Sequence, residues 1–328
     1  MNFKDFSLSV LIVLGAASIA DAQDPEFSQF YANPVYTNPA FAGSSTVGRI
    51  VTNLRNQWPN IPGTFRTASA SFDEHYDIIN GGVAIMATYD QAGSGLLTTL
   101  SLSGAYSYQI ILNRNLSMRL AVQGGITQKS IDFSKLTWYD QIILQQGFVY
   151  ASLQQPPNPT IYYPNFAAGG VIYSNKFYAG FAVHNLTEPN QAFYNTNSKA
   201  SIIPMRYTGH AGLIIPLFQS KDPKYESNLW PNILYMQQSV YNQLNVGMYY
   251  NRGPFVVGAY FRQTSANPDA MIFLVGVRKD KLRIGYSYDQ TISNAFNGAP
   301  NSHEVSVIIE LKKRTPTKTI RPIKCPEF

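Results

Sequence analysis

Alternation with a period of two residues, sustained over stretches of about ten residues, restricts this sequence more than any other feature. In 98–108, Leu100, Leu102, Gly104, Tyr106 and Tyr108 share one parity, and Ser101, Ser103, Ala105 and Ser107 the other. Residues 116–127 set Leu116, Met118, Leu120, Val122 and Ile126 against Ser117, Arg119, Gln123 and Thr127. Leu282, Ile284, Tyr286 and Tyr288 alternate with Arg283, Gly285, Ser287 and Asp289, and Val305, Val307, Ile309 and Leu311 with Glu304, Ser306 and Glu310. Successive side chains of a strand point to opposite faces, so each segment carries one apolar and one polar face. No run with helical spacing competes, and the chain reads as all-β. The expected strands are 48–57, 64–73, 81–90, 98–109, 116–128, 164–174, 176–185, 205–216, 230–239, 243–250, 254–262, 269–277, 281–289 and 303–312. Most approach the roughly 9–11 residues that a tilted strand needs to cross a bilayer.

The connections point the same way. Ser174–Lys176, Asn251–Pro254 and Arg278–Lys281 are tight turns, whereas 129–163, 186–204 and 290–302 are long. Counted from a periplasmic N-terminus, the tight turns fall on the periplasmic side and the long loops outside. With an even strand number, this is the pattern of an outer-membrane, up-and-down antiparallel β-barrel of about 14 strands. Composition agrees: 13% of residues are charged and 13% aromatic, with 22 Tyr and 19 Phe. A wall facing lipid needs no charge, and aromatic girdles occupy both interfaces. A secreted β-sandwich or β-solenoid would alternate too, but needs far more surface charge to stay soluble.

Four segments divide the chain. Residues 1–22 read as a signal peptide: Lys4 begins it, Leu8 to Ala20 is apolar, and Ala20-Asp21-Ala22 is a small-x-small cleavage site. The expected location is therefore the outer membrane, multi-pass, with cleavage after Ala22. Residues 23–46 form a lead-in, 47–312 the barrel and 313–328 a basic periplasmic tail. The lead-in holds three prolines, which exclude a regular strand or helix across it, and twin turn-forming pairs, Asn33-Pro34 and Asn38-Pro39, before Gly43. Its aromatic residues Phe27, Phe30, Tyr31, Tyr36 and Phe41 need burial. The segment either packs as a plug, inside the barrel or at its periplasmic end, or orders on a partner.

Arg49, Arg55, Arg66, Arg119 and Arg283 lie on expected strands. On the lipid face an arginine at the midplane costs about 2–4 kcal/mol, so these are expected in the lumen. Asp73, Asp90, Asp289, Glu304 and Glu310 are the expected partners, whether the pairs contact a plug or cargo or merely fill the barrel. The last seventeen residues, the tail with the closing Lys312 of the barrel segment, carry Lys312, Lys313, Arg314, Lys318, Arg321 and Lys324 against Glu327 alone. The tail is either a contact for anionic periplasmic partners or a solvated end. The formal net charge is +6, and these seventeen residues contribute +5, so the basic balance does not describe a nucleic-acid surface. The single cysteine, Cys325, allows no internal disulfide and no Cys cluster for zinc. His75, His184, His210 and His303 are scattered, and no phosphate-binding loop or nucleophile elbow occurs. No cofactor, metal or enzymatic activity is expected.

The stretch Gln23 to Gly43 resembles the opening motif of the PorP/SprF family of type IX secretion system outer-membrane proteins from Bacteroidetes. Further matches follow: Arg55-Asn56-Gln57-Trp58, Ser71-Phe72-Asp73, Gly180, His184-Asn185-Leu186, Tyr286-Ser287-Tyr288-Asp289, Ser302-His303-Glu304 and Cys325-Pro326-Glu327-Phe328. Loops 129–163 and 186–204 match nothing in the family pattern. The resemblance implies a barrel similar to the fatty-acid-transporter type that serves secretion. It implies partners among type IX secretion components, and a secreted adhesin of gliding motility held through its C-terminal sorting domain. Outer-membrane lipid surrounds the wall in either case. A transporter or porin for small or hydrophobic solutes is the alternative.

Overall fold

The computed structural model describes residues 24–311 apart from 46, 62, 94–95, 137–140, 144–146, 149–157, 195–200, 220–225, 266 and 294–300. The signal peptide and the basic tail, with Lys312, Lys313, Arg314, Lys318, Arg321, Lys324 and Cys325, lie outside the described residues.

The strands are β1 (Arg49–Gln57), β2 (Phe65–Tyr76), β3 (Gly81–Ala92), β4 (Leu97–Ile111), β5 (Ser117–Ile131), β6 (Thr160–Tyr173) and β7 (Phe177–His184). Next come β8 (Arg206–Leu213, continued by Ile215–Phe218), β9 (Ser227–Gln238), β10 (Tyr241–Arg252) and β11 (Phe255–Thr264). The last are β12 (Pro268–Lys279), β13 (Leu282–Thr291) and β14 (Ser302–Glu310). Each pairs antiparallel with its sequence neighbours, and β1 pairs with β14 from Arg49↔Glu310 to Gln57↔Ser302. The sheet therefore closes on itself as a 14-stranded up-and-down barrel, which leaves no long free edge. All fourteen expected strands are present, most extended by a few residues at their outer ends.

Parity along the strands sorts the two faces as the alternation predicted. Leu100, Leu102, Leu120, Val122, Ile126, Val275 and Ile284 stand exposed on the outer wall, while Ser107, Arg119, Thr127, Arg283, Ser287 and Glu304 point inward and are buried. Exposed Tyr106, Tyr108, Tyr162, Tyr207, Tyr235 and Tyr286 supply amphipathic rings for the membrane interfaces. No helix of the described residues is long and apolar enough to cross a membrane. β1 begins and β14 ends at the same end, the periplasmic one, where the tight turns after β6, β10 and β12 also lie.

What fills the barrel is the lead-in. Residues 24–45 run through the lumen from its outer half down to the start of β1, and Ala32, Asn33, Asn38, Ala40, Phe41 and Ala42 are wholly buried. Three single turns of helix compact it: 3-10 turns at Phe30–Ala32 and Pro39–Phe41, and an α-helical turn at Pro34–Thr37. The prolines exclude a long element, as expected, but Pro34 and Pro39 each open a turn at its first positions. There the missing N–H would have had no intrahelical partner and the fixed φ suits the helix.

Candidate functional site

The lumen is the candidate site, and the plug is held in it at two levels. At the periplasmic level Gly43 turns the chain with φ of +61°, and its N–H donates to Asp73 Oδ2 at 2.9 Å. A Cβ built there would lie 2.5 Å from Gly82 Cα, so only glycine fits the contact. Arg49 grips the same carboxylate with two bonds, Nε to Oδ1 at 2.8 Å and Nη2 to Oδ2 at 3.0 Å, and also donates to Ser44 Oγ. Arg119, wholly buried, donates to Ala42 O at 2.9 Å and to Gln109 Oε1 at 2.9 Å. Asn38 caps the second 3-10 turn by accepting from Ala40 N–H, and its amide donates to Gly170 O and Phe181 O at 3.2 and 3.3 Å. The same amide nitrogen lies 3.1 Å from His210 Nε2. Gly169 leaves room for that side chain, since a Cβ there would fall 2.2 Å from Asn38 Oδ1. Asn33 is buried with neither polar side-chain atom hydrogen-bonded among the described residues.

Aromatic rings fill the middle level. Phe30 meets Tyr260 edge-on at 5.5 Å, Tyr31 meets Tyr178 at 5.7 Å, and Phe41 lies 5.1 Å from the His210 ring. This packing buries the aromatic residues of the lead-in against β7, β8, β10 and β11.

At the outer level the contacts are ionic. Ser28 N–H and Gln29 N–H donate to the two carboxylate oxygens of Glu304 at 2.7 and 3.2 Å. Ser28 Oγ donates to Asp289 Oδ2 and accepts from Arg55 and Arg262. Arg55 pairs with Asp289 at 3.0 Å and Glu304 at 3.4 Å, and Arg262 with Asp289 at 3.2 Å and Asp269 at 3.6 Å. Nearby, Arg206 lies 3.4 Å from Asp24 and 5.1 Å above the ring of Tyr36. Burial pushes the Tyr36 hydroxyl up to about 12, against the opposing pull of Arg206. Burial likewise raises Glu26, although Arg262, Arg55 and Arg206 all act to lower it.

Above the plug an outer vestibule of about 530 Å³ opens between Asp24-Pro25-Glu26 and the strand ends, with Trp58, Phe65, Tyr163 and Tyr241 among its walls. A side pocket of about 110 Å³ runs beside it along the inward faces of β3 to β6, past Thr88, Ser103, Gln123 and Asn165.

Of the sequence-predicted arginines, Arg49, Arg55, Arg119 and Arg283 face the lumen, and Arg283 pairs with Glu310. Arg66 does not. It is exposed on the outward parity of β2, opposite to buried Thr67, Ser69, Ser71 and Asp73. Its position beside Phe65, the outermost residue of β2, explains this: the cost of an outward arginine falls to about 0–1 kcal/mol near the interface. Asp90, expected as an arginine partner, instead accepts from Thr67 Oγ1 at 2.7 Å. Asp73, Asp289, Glu304 and Glu310 do pair as expected. Arg206 and Arg262 were not singled out from sequence, and His184 and His210 entered only as a motif match or as scattered histidines, not as lumen residues. Parity marks all four as inward, since Arg206 and His210 share it with Thr208, and Arg262 with Tyr260. The described residues hold no group of His, Cys, Asp and Glu arranged for a metal ion.

A closed antiparallel barrel with an apolar outer wall and an internal plug is an outer-membrane barrel protein. The family described as type IX secretion system membrane protein PorP/SprF matches residues 19–309, and the chain belongs to it. It is thus a membrane component of type IX secretion. Among solved structures, the chain is similar to the Acinetobacter baumannii outer membrane protein Omp33, with 8% identity and a TM-score of 0.47 over 82% of this chain and 100% of that one. It is similar also to the Ralstonia pickettii toluene transporter TbuX, with 9% identity and a TM-score of 0.47 over 85% of this chain and 93% of that one. No curated protein sequence matches the chain at a significant level.

Proposed function

We propose that this protein is a non-enzymatic docking barrel of the type IX secretion and gliding machinery, which helps export a cargo adhesin or hold it at the surface through its C-terminal sorting domain. One observation carries the reading: the lumen is occupied by the chain's own residues 24–45, bonded to the wall at both levels. A barrel so filled is built to present surfaces at its two ends. A solute porin needs a continuous aqueous path. In this reading the vestibule and outer loops face the cargo, the periplasmic turns and the basic tail face the machine, and the exposed apolar wall contacts outer-membrane lipid.

Deletion of the gene should strip the adhesin from the cell surface while leaving other secreted proteins in place. Unchanged surface adhesin would remove the cargo role. Purified protein in planar bilayers should show little conductance, whereas large regular steps would favour the porin alternative.

A further inference from the structure

The vestibule carries an uneven set of charges. Asp24, Glu26, Asp90, Asp269 and Asp289 line it against Arg55, Lys129 and Arg262. The cations are already engaged. Arg55 pairs with Asp289 and Glu304, Arg262 pairs with Asp289 and Asp269, and Lys129 donates to Gln191. Asp24 is taken by Arg206 and by Asn185, whose amide donates to it at 2.8 Å. Two carboxylates remain outside any ion pair among the described residues. Glu26 interacts with the Gln243 side chain and, at longer range, with Arg262, Arg55 and Arg206, and Asp90 accepts from Thr67 Oγ1 at 2.7 Å. On the floor, Asp289 is 2% exposed and its Oδ1 is buried with no hydrogen-bond partner among the described residues. An anion would find no free donor of full charge here, whereas a cation would find two carboxylates with no salt-bridge partner among the described residues, Glu26 feeling its arginines only from beyond ion-pair distance.

The walls add a second requirement. Trp58 and Phe65 meet edge-on at 5.6 Å, and Tyr163 and Tyr241 also line the space. Aromatic faces attract a cation and also cover an apolar stem. The volume of about 530 Å³ falls within the range of roughly 300–1,000 Å³ that takes a ligand the size of a few peptide residues.

We propose that the outer vestibule is a binding site for a basic side chain, lysine or arginine, presented by a short stretch of polypeptide. The carboxylates of Glu26 and Asp90 receive the charged head, and the aromatic walls cover the stem. This deepens the docking role and rests on the reading that a secreted partner meets the outer end. Burial disfavours the Glu26 carboxylate and a cation beside it counters that effect, so binding of the basic side chain strengthens as pH rises and Glu26 ionises.

The test uses the full-length protein in detergent and blocked four-residue peptides carrying one phenylalanine beside lysine, norleucine or glutamate. Calorimetry and tryptophan fluorescence, with Trp58→Phe as the assignment control, follow binding. The lysine peptide should bind saturably, at least tenfold tighter than the norleucine peptide, with the glutamate peptide weakest. Glu26→Gln combined with Asp90→Asn should weaken the lysine peptide at least tenfold while heat-modifiable gel migration is kept. Equal binding of the glutamate and lysine peptides, or no saturable binding at millimolar peptide, would overturn the proposal on the unmodified protein alone. Loss of surface adhesin on gene deletion together with no peptide binding would leave the docking role standing and reject this site.

Discussion

The two ends of the plug are fixed by different chemistry. At the periplasmic end, Gly43 is wedged against Gly82 and the chain runs on a few residues later into β1, while Arg49 pairs with the fully buried carboxylate of Asp73. At the outer end, Ser28 and Gln29 are held by a shared cluster of Arg55, Arg262, Asp289 and Glu304, in which each charge has more than one partner or bonds the plug backbone. A shape-fitted, covalently tethered end cannot leave without dismantling the wall. The outer end is bound through wall side chains that also satisfy one another, so a substitution there is expected to loosen the plug tip while the barrel stays closed. The plug is therefore held below by shape and chain connection and above by a shared ionic cluster.

The largest expected effect tests the lower anchor. Gly43→Val adds a Cβ at a positive φ against Gly82 Cα and Glu74 O, for a combined cost of about 2–5 kcal/mol. The variant should lose most heat-modifiable barrel in membrane fractions, and assembly at the normal level would show the wedge to be dispensable. Next comes Asp73→Asn, which leaves the buried Arg49 guanidinium without its carboxylate and should lower stability by about 3–5 kcal/mol, read as a reduced urea midpoint. If both variants behave like outer-end substitutions, the two ends do not differ.

Asp289→Asn addresses the upper end. Arg55 keeps Glu304 and Arg262 keeps Asp269, so the loss should stay near 1.5–3 kcal/mol, comparable to hydrogen bonds to a charged group. The barrel should remain heat-modifiable, but the plug tip should loosen and give small, irregular conductance in planar bilayers. A silent bilayer would place both ends under equally firm control.

The wall of this protein was open to reading from sequence because each strand is judged locally. Alternation in 98–108 or 303–312 reports its own two faces without reference to any distant residue. The plug was legible only as a need: three prolines and five aromatics that had to be buried. Its path could not be read, since Ser28 meets Asp289 across 261 positions of chain and Asn38 meets His210 across 172. No local pattern encodes such pairs. Arg206 and Arg262 were within reach of the same parity rule that placed Arg55, but Gly258 and Tyr260 precede Arg262 on its inner face, and Thr208, His210 and Gly212 follow Arg206, where Asn53 and Gln57 flank Arg55. Arg66 was misplaced because the cost of an outward arginine depends on depth, and depth follows from where a strand begins.

That dependence supplies the smallest predicted effect. Arg66→Gln removes an exposed charge at the outer interface and should change stability by no more than about 0.5 kcal/mol. Arg119→Gln, at the other parity and wholly buried, removes donors that hold Ala42 O and Ser107 Oγ and should destabilise clearly. Both lose one positive charge from a strand, so net charge and composition are matched between the two variants. Urea midpoints that separate them show that the contacts of a lumen arginine with plug and wall, and not the arginine content of the barrel, set stability at the periplasmic level. Equal midpoints would mean that Arg119 contributes no more inside the barrel than Arg66 does on its surface.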